Sequence, residues 1–296
     1  MTSSTMVLPG RLDLFHNTKA DAKLVYGNQR KAILSVDKGK QAMETIASWP
    51  NYQVTDLHRL TGMAEQANID QIYYKDESSR FGLKSFKALG GAYAVTKFLK
   101  QHLGRLNGEE PTMAQLLSGH YQEQLKDVVV SCATDGNHGR SVAWGAQMFG
   151  CQCIIYIHRD VSAGRQLAME TYAAQVIRIT GNYDESVRQA AADAELYGRE
   201  IISDTSYEGY TEVPANVALG YTVMLSETVE QLNGEIPTHV FIQAGVGGLA
   251  AAVCGYFWDL WGEQRPRFVV VEPEAANCLQ ESAKVGQLTV VDGDLD

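Results

Sequence analysis

From about residue 69 onward, short runs of β-branched and apolar residues alternate with longer segments whose apolar positions recur every three or four residues. The runs QIYYKDE, DVVVSCA, CIIYIH, QVIRI, HVFIQAG and RFVVVEPE read as strands, and the segments between them as amphipathic helices. Within and after GLKSFKALGGAY, the residues Leu89, Ala92, Tyr93, Thr96 and Leu99 advance at helical spacing, and segments 141–149 and 249–260 behave likewise. Segment 128–130 is apolar on both faces, as a parallel strand covered by helices on either side would be. Repeated strand and helix in this order predict right-handed crossovers and an open α/β sheet. The polar stretch GRLNGEEPTMAQLLSGH, residues 104–120, reads as a surface insertion, and LNGEIPTH as a turn rich in helix and strand breakers. The first 68 residues carry mixed signals and predict no particular elements.

A chain of 296 residues has room for roughly two domains and buries about 75% of its unfolded surface. Twenty-five Lys and Arg against 35 Asp and Glu leave a formal charge of −10. That is the wrong sign for a nucleic-acid or anionic-membrane binder, and no run of Lys or Arg supplies a local basic patch. The opening MTSSTMVLPGRLDLF lacks the apolar stretch of a secretory signal, and no segment approaches the roughly 18 apolar residues of a membrane span. A cytoplasmic protein is the expectation. Five scattered cysteines make no disulfide framework. The pair in CQC, residues 151–153, lies on an expected strand without His or Cys at zinc spacing, so buried structural thiols and no metal site are expected.

In an open α/β sheet ligands bind beyond the carboxyl ends of the strands, and three turns fall there. QAGVGGLA, residues 243–250, leaves a strand and opens a helix, where free backbone N–H groups converge on an anion such as a phosphate. Gly245, Gly247 and Ala250 also fit a dinucleotide fingerprint, with Glu272 as a ribose ligand. Too little chain follows Ala250 for the rest of a dinucleotide domain, which makes an NAD-dependent oxidoreductase the weaker reading. The second turn sets Asp135, Gly136, Asn137, His138 and Gly139 between strand and helix. Asp135 alone could be a helix cap, but a carboxylate, a carboxamide and an imidazole between two glycines read as a binding loop. In the third, Lys87 follows a strand and loop and precedes Ala88, Gly90, Gly91 and Ala92. Two glycines inside a helix cost roughly 1 kcal/mol each against alanine, so something must approach that helix closely. Lys84 reads as a solvated surface lysine. A lysine near a phosphate-binding turn suggests pyridoxal phosphate, whose aldehyde condenses with a lysine amine.

SFKALGGAY, TDGNHGR and QAGVGGLA, in that order, resemble the Schiff-base lysine motif, substrate loop and phosphate loop of fold type II, tryptophan synthase β-like, pyridoxal-phosphate enzymes. Within that group, FGLKSFKALGGAYAV, ATDGNHGRSVAWGAQ, NYDESVR, SDTSYEGYTEVP, PTHVFIQAGVGGLAAAVCGY and VVEPEAANC are most similar to the diaminopropionate ammonia-lyases, over about residues 70–280. The resemblance implies two open parallel-sheet domains with flanking helices, a large one from 1–93 and 221–296 and a small one from 94–220. It implies pyridoxal 5'-phosphate as cofactor, a homodimer, and α,β-elimination of 2,3-diaminopropionate to pyruvate and ammonia. It makes Lys87 the Schiff-base lysine, Asn137 the partner of the cofactor's ring oxygen, and Gly245, Val246, Gly247, Gly248 and Leu249 the phosphate cradle. Asp135 and Asp204 become acidic catalytic residues, with Thr134, Asp135, Gly136, Asn137 and His138 at the substrate. A fixed Asp135 suits a substrate bearing a second ammonium, which it can attract and exchange protons with. A serine, threonine or hydroxyaspartate dehydratase of the same fold, or an inactive binding homologue, are the alternatives. Members of the group continue well beyond the closing VVDGDLD, so the large domain is expected to be incomplete.

Overall fold

The computed structural model describes residues 12–289 and 291; residues 1–11 and most of VVDGDLD lie outside it. The part with mixed signals forms α1 (Asn28–Ile33), α2 (Val36–Ala47), β1 (Leu57–Arg59) and α3 (Thr61–Ala67). Ser35 starts α2 by accepting the Lys38 N–H at 3.2 Å. There follow β2 (Tyr73–Lys75), α4 (Lys87–Asn107), α5 (Met113–Leu117), α6 (Gln122–Leu125), β3 (Val129–Ala133) and α7 (Asn137–Phe149). Next come β4 (Gln152–Ile157), α8 (Ala163–Glu170), β5 (Gln175–Arg178), α9 (Tyr183–Tyr197), β6 (Glu200–Ile201) and α10 (Glu212–Gln231). The described chain closes with β7 (His239–Gln243), α11 (Gly248–Trp261), β8 (Arg267–Val271) and α12 (Cys278–Val285).

β3, β4, β5 and β6 form one parallel sheet in the order β5-β4-β3-β6. Alternation along β4 divides its core: Cys153, Ile155 and Ile157 join Val142, Ala143, Ala146 and Phe149 of α7 in the main cluster. Ile154 and Tyr156 point the other way, onto Ala190 of α9. This is the two-sided burial that the apolar strands predict. Cys132, Cys151 and Cys153 are buried free thiols within it. β7 and β8 pair in parallel as a separate two-stranded sheet, with Phe241 and Val271 exposed on one side.

Two segments depart from the sequence reading. QIYYKDE does not join a parallel sheet: β2 pairs antiparallel with β1, its Tyr74 exposed as in a half-buried hairpin-like ladder. Residues 104–120 are more than an insertion, because they finish α4 and build α5, where Thr112 and Gln115 form a capping box and Leu116 is buried. Among the described residues no helix is long and apolar enough to cross a membrane.

The glycines of α4 are explained by its neighbours. A Cβ on Gly90 would lie 2.4 Å from the Tyr221 ring of α10, and one on Gly91 would lie 2.7 Å from Ser141 Oγ of α7. Ser141 completes this contact by accepting the Ala92 N–H at 3.0 Å and donating to the Ala88 carbonyl at 3.2 Å. Side chains of neighbouring helices make the close approach at Gly90 and Gly91, and they hold the start of α4 between α7 and α10.

The loop ahead of α4 is anchored separately. Arg80, 1% exposed, donates from Nη1 and Nη2 to the two oxygens of buried Glu227 on α10 at 2.8 and 2.7 Å, a bidentate pairing. Lys75 reaches the same carboxylate at 2.8 Å, and Tyr52 donates to it at 2.9 Å. The segment leading to Lys87 is therefore tied to α10 through Lys75 and Arg80.

Candidate active site

Four chain segments meet where β3, β6 and β7 end. Lys87 opens α4, its N–H given to Ser85 Oγ at 3.2 Å. Its amine is hydrogen-bonded to Asp204 Oδ2, on the loop after β6, and stands 5.6 and 5.7 Å from the ring centres of Phe86 and Tyr221. Lys84, three positions earlier, is exposed. His138 on α7 gives Nε2 to the Ile202 carbonyl at 2.7 Å and places Nδ1 3.8 Å from Asp204 Oδ2. The Asp204 backbone oxygen in turn lies 3.6 Å from where a Cβ on Gly248 would stand. Lysine, acid, imidazole and glycine turn are thus brought together.

Burial is the largest influence on Asp204 and pushes its carboxyl up, but the charges of His138 and Lys87 and the Lys87 hydrogen bond outweigh it and bring it down to about 2. Burial raises the Tyr183 phenol, and the charges of Asp204 and Asp135 push it further the same way, which places that phenol in the field of both acids. Burial and then Asp204 likewise raise Tyr221.

In the second turn, Thr134 is buried and its Oγ1 accepts the N–H groups of Gly136 at 3.1 Å and Gly139 at 3.3 Å, so this hydroxyl shapes the turn and starts α7. Asn137 is exposed, and its carboxamide has no protein partner among the described residues. Asp135 is also exposed, with Oδ1 3.1 Å from Nε2 of His158. Thr134 and His138, grouped with the substrate contacts on sequence grounds, are buried with their side chains directed at protein atoms. His158, Tyr183 and Tyr221 were not singled out by the sequence reading. His158 carried a readable signal, since it directly follows β4 on the same edge of the sheet.

The third turn fits a phosphate group. Gly247 has φ +91°, which favours glycine, and a Cβ on Gly245 would meet open space. Among the described residues, the N–H groups of Gly245, Val246, Gly247, Gly248 and Leu249 are given to no protein acceptor, at the start of a 14-residue helix. With the Lys87 amine and, through neighbouring His138, the start of α7 with Asn137 gathered around Asp204 beside this turn, the donor set suits pyridoxal phosphate. The dinucleotide alternative loses its acid: Glu272 accepts the N–H groups of Leu279 and Gln280, both at 2.9 Å, and so caps α12.

Parallel α/β layers with a lysine held against an acid whose loop abuts an amide-lined glycine turn are the features of a pyridoxal-phosphate enzyme. Residues 49–294 match the family described as pyridoxal-phosphate dependent enzymes, and the chain belongs to that family, whose cofactor is pyridoxal 5'-phosphate. It is 40% identical over 272 residues to the diaminopropionate ammonia-lyase of Salmonella typhimurium strain LT2, spanning 89% of this chain and 67% of that protein. Identity to the diaminopropionate ammonia-lyase of Escherichia coli strain K12 is 36% over 281 residues, spanning 93% of this chain and 68% of that one. The crystal structure of the holo Escherichia coli diaminopropionate ammonia lyase superposes with a TM-score of 0.81 at 35% identity, over 88% of this chain and 65% of that one. The chain thus spans about two thirds of the length of these relatives.

Proposed function

We propose that this chain carries the catalytic site of a pyridoxal-phosphate-dependent carbon–nitrogen lyase that eliminates the β-amine of 2,3-diaminopropionate, giving pyruvate and ammonia. The observation that carries the reading is the Lys87 amine held against Asp204, whose loop abuts the glycine turn; similarity to the two ammonia-lyases supplies the substrate. Lys87 would hold the cofactor's aldehyde, Asn137 its ring oxygen, and the amides of Gly245, Val246, Gly247, Gly248 and Leu249 its phosphate. Bound there, the cofactor supplies an electron sink for the pair left when Cα loses its proton.

The chain's own groups do the proton work. Lys87 and Asp135 are the two bases for the Cα proton, each on its own side of the substrate, which allows either enantiomer to react. Asp135 attracts the β-ammonium and returns a proton to the departing amine. Asp204 keeps the Lys87 amine in place. The division into a large domain of 1–93 and 221–296 and a small one of 94–220, with α4 and α10 as the joining helices, belongs to the same proposal, as do a homodimeric assembly and a cytoplasmic location.

Pyruvate release is the test. The expected result is cofactor-dependent pyruvate from diaminopropionate and little from serine; the reverse preference would make the protein a dehydratase.

A further inference from the structure

We propose that His158 is a positioning residue for Asp135: it holds one carboxylate oxygen and leaves the other to the substrate. This rests on the reading of Asp135 as the acid that meets the substrate. Asp135 lies on an open turn with its side chain 54% exposed, where a carboxylate would ordinarily sample several rotamers. Its Oδ1 lies 3.1 Å from His158 Nε2, while Oδ2 accepts no hydrogen bond among the described residues. The imidazole is the fixed member of the pair, at 19% exposure.

Its orientation is set from behind. The Asp160 N–H donates to His158 Nδ1 at 3.3 Å, which leaves Nε2, on the side of Asp135, to carry the proton of the neutral ring. The Asp160 carboxylate stands 3.6 Å from the same Nδ1, so both ring nitrogens face acidic residues. The backbone of this loop is gripped by Arg178 of β5, whose Nη1 donates to the carbonyls of His158, Arg159 and Val161 at 3.2, 2.8 and 2.7 Å. The Arg159 N–H is bonded to the Gly181 carbonyl at 3.2 Å, which ties the loop to the segment before α9. An exposed polar contact is worth little when both partners are mobile. Here one partner is locked in tautomer and place, so the contact orders the other.

Two measurements test the inference. The first needs no cofactor: two-bond ¹H–¹⁵N spectra of the histidine rings, with His158 assigned by its loss in His158→Leu. The expected spectrum shows an unprotonated Nδ1 and a protonated Nε2 whose signals move in Asp135→Asn; signals indifferent to Asp135→Asn would overturn the contact. The second is steady-state elimination. His158→Leu is expected to lower kcat about 10-fold, which corresponds to about 1.4 kcal/mol lost when the acid is no longer held in place. His158→Gln, which keeps a donor, should recover most of that loss. In the Asp135→Asn background, His158→Leu should cost nothing further, because its target is gone. An equal loss in both backgrounds would mark a merely structural side chain and overturn the inference. Full activity of His158→Leu beside an impaired Asp135→Asn would overturn the inference alone, whereas full activity of Asp135→Asn would remove the reading beneath it as well.

Discussion

The amine of Lys87, at the first position of its helix, is hydrogen-bonded to the carboxylate of Asp204, 117 positions away in sequence, and His138 Nδ1 faces the same oxygen from 3.8 Å. This acid sits at about 2 in the folded protein against an ordinary 3.8. A depressed carboxyl contributes stability that is complete above its unfolded value and is lost as pH falls through its folded value. The window here runs from about pH 4 down to about pH 2, and the contribution is about 2 kcal/mol. Urea unfolding measured at steps across that window should show the parent losing about 2 kcal/mol more than Asp204→Asn. Parallel pH profiles for the two proteins would contradict the pairing.

Glu227 collects Arg80, Lys75 and Tyr52 in a site closed to water. Glu227→Gln leaves the buried Arg80 guanidinium with Glu77 as its one remaining countercharge among the described residues, and removing one partner of a buried pair costs up to about 3–5 kcal/mol. Denaturant midpoints should fall accordingly. Because Arg80 fixes the loop that leads to Lys87, cofactor affinity should weaken along with stability.

Two glycine-to-alanine changes should act in opposite directions. A Cβ on Gly220 of α10 would stand 2.4 Å from the Leu89 carbonyl oxygen, a backbone atom that cannot turn aside. Gly220→Ala should therefore destabilise by about 1–3 kcal/mol, the ordinary cost of overpacking. A Cβ on Gly164 of α8 would have nothing within 4 Å, and Gly164→Ala should stabilise by about 0.5–1 kcal/mol through helix propensity. Thermal melts of the two variants decide this.

Much of this architecture is readable from residue patterns. The two-sided apolar runs at β3 and β4 announce a covered parallel sheet, and the small-residue run after Lys87 announces a close approach to α4. What approaches, Tyr221 and Ser141, cannot be read, because both lie on other helices and their contact is created by tertiary packing. β6 escapes notice for want of length, being only Glu200–Ile201. The antiparallel pairing of β2 is hidden because a short apolar run looks alike in either kind of sheet. Lys87, Asn137 and the glycine turn stand out through their positions after strands. The Lys87–Asp204 contact and the His158 ring behind Asp135 come from folding distant segments together, and single-sequence spacing holds no record of such pairs.

Gly247 offers a direct probe of the phosphate turn. Its φ of +91° is strained for any residue with a side chain. Gly247→Ala should tilt the amides around it and weaken pyridoxal phosphate about 10-fold, an amount that about 1.4 kcal/mol of misfit produces. Fluorescence titration of the cofactor-free protein reads the affinity; an unchanged value would place the phosphate elsewhere.

The most direct test of the whole account is chemical. Borohydride reduction of the protein loaded with pyridoxal phosphate, followed by peptide mapping by mass spectrometry, should find the phosphopyridoxyl group on Lys87 and no adduct in Lys87→Ala. A label on Lys84 or another lysine, or none at all, would contradict it.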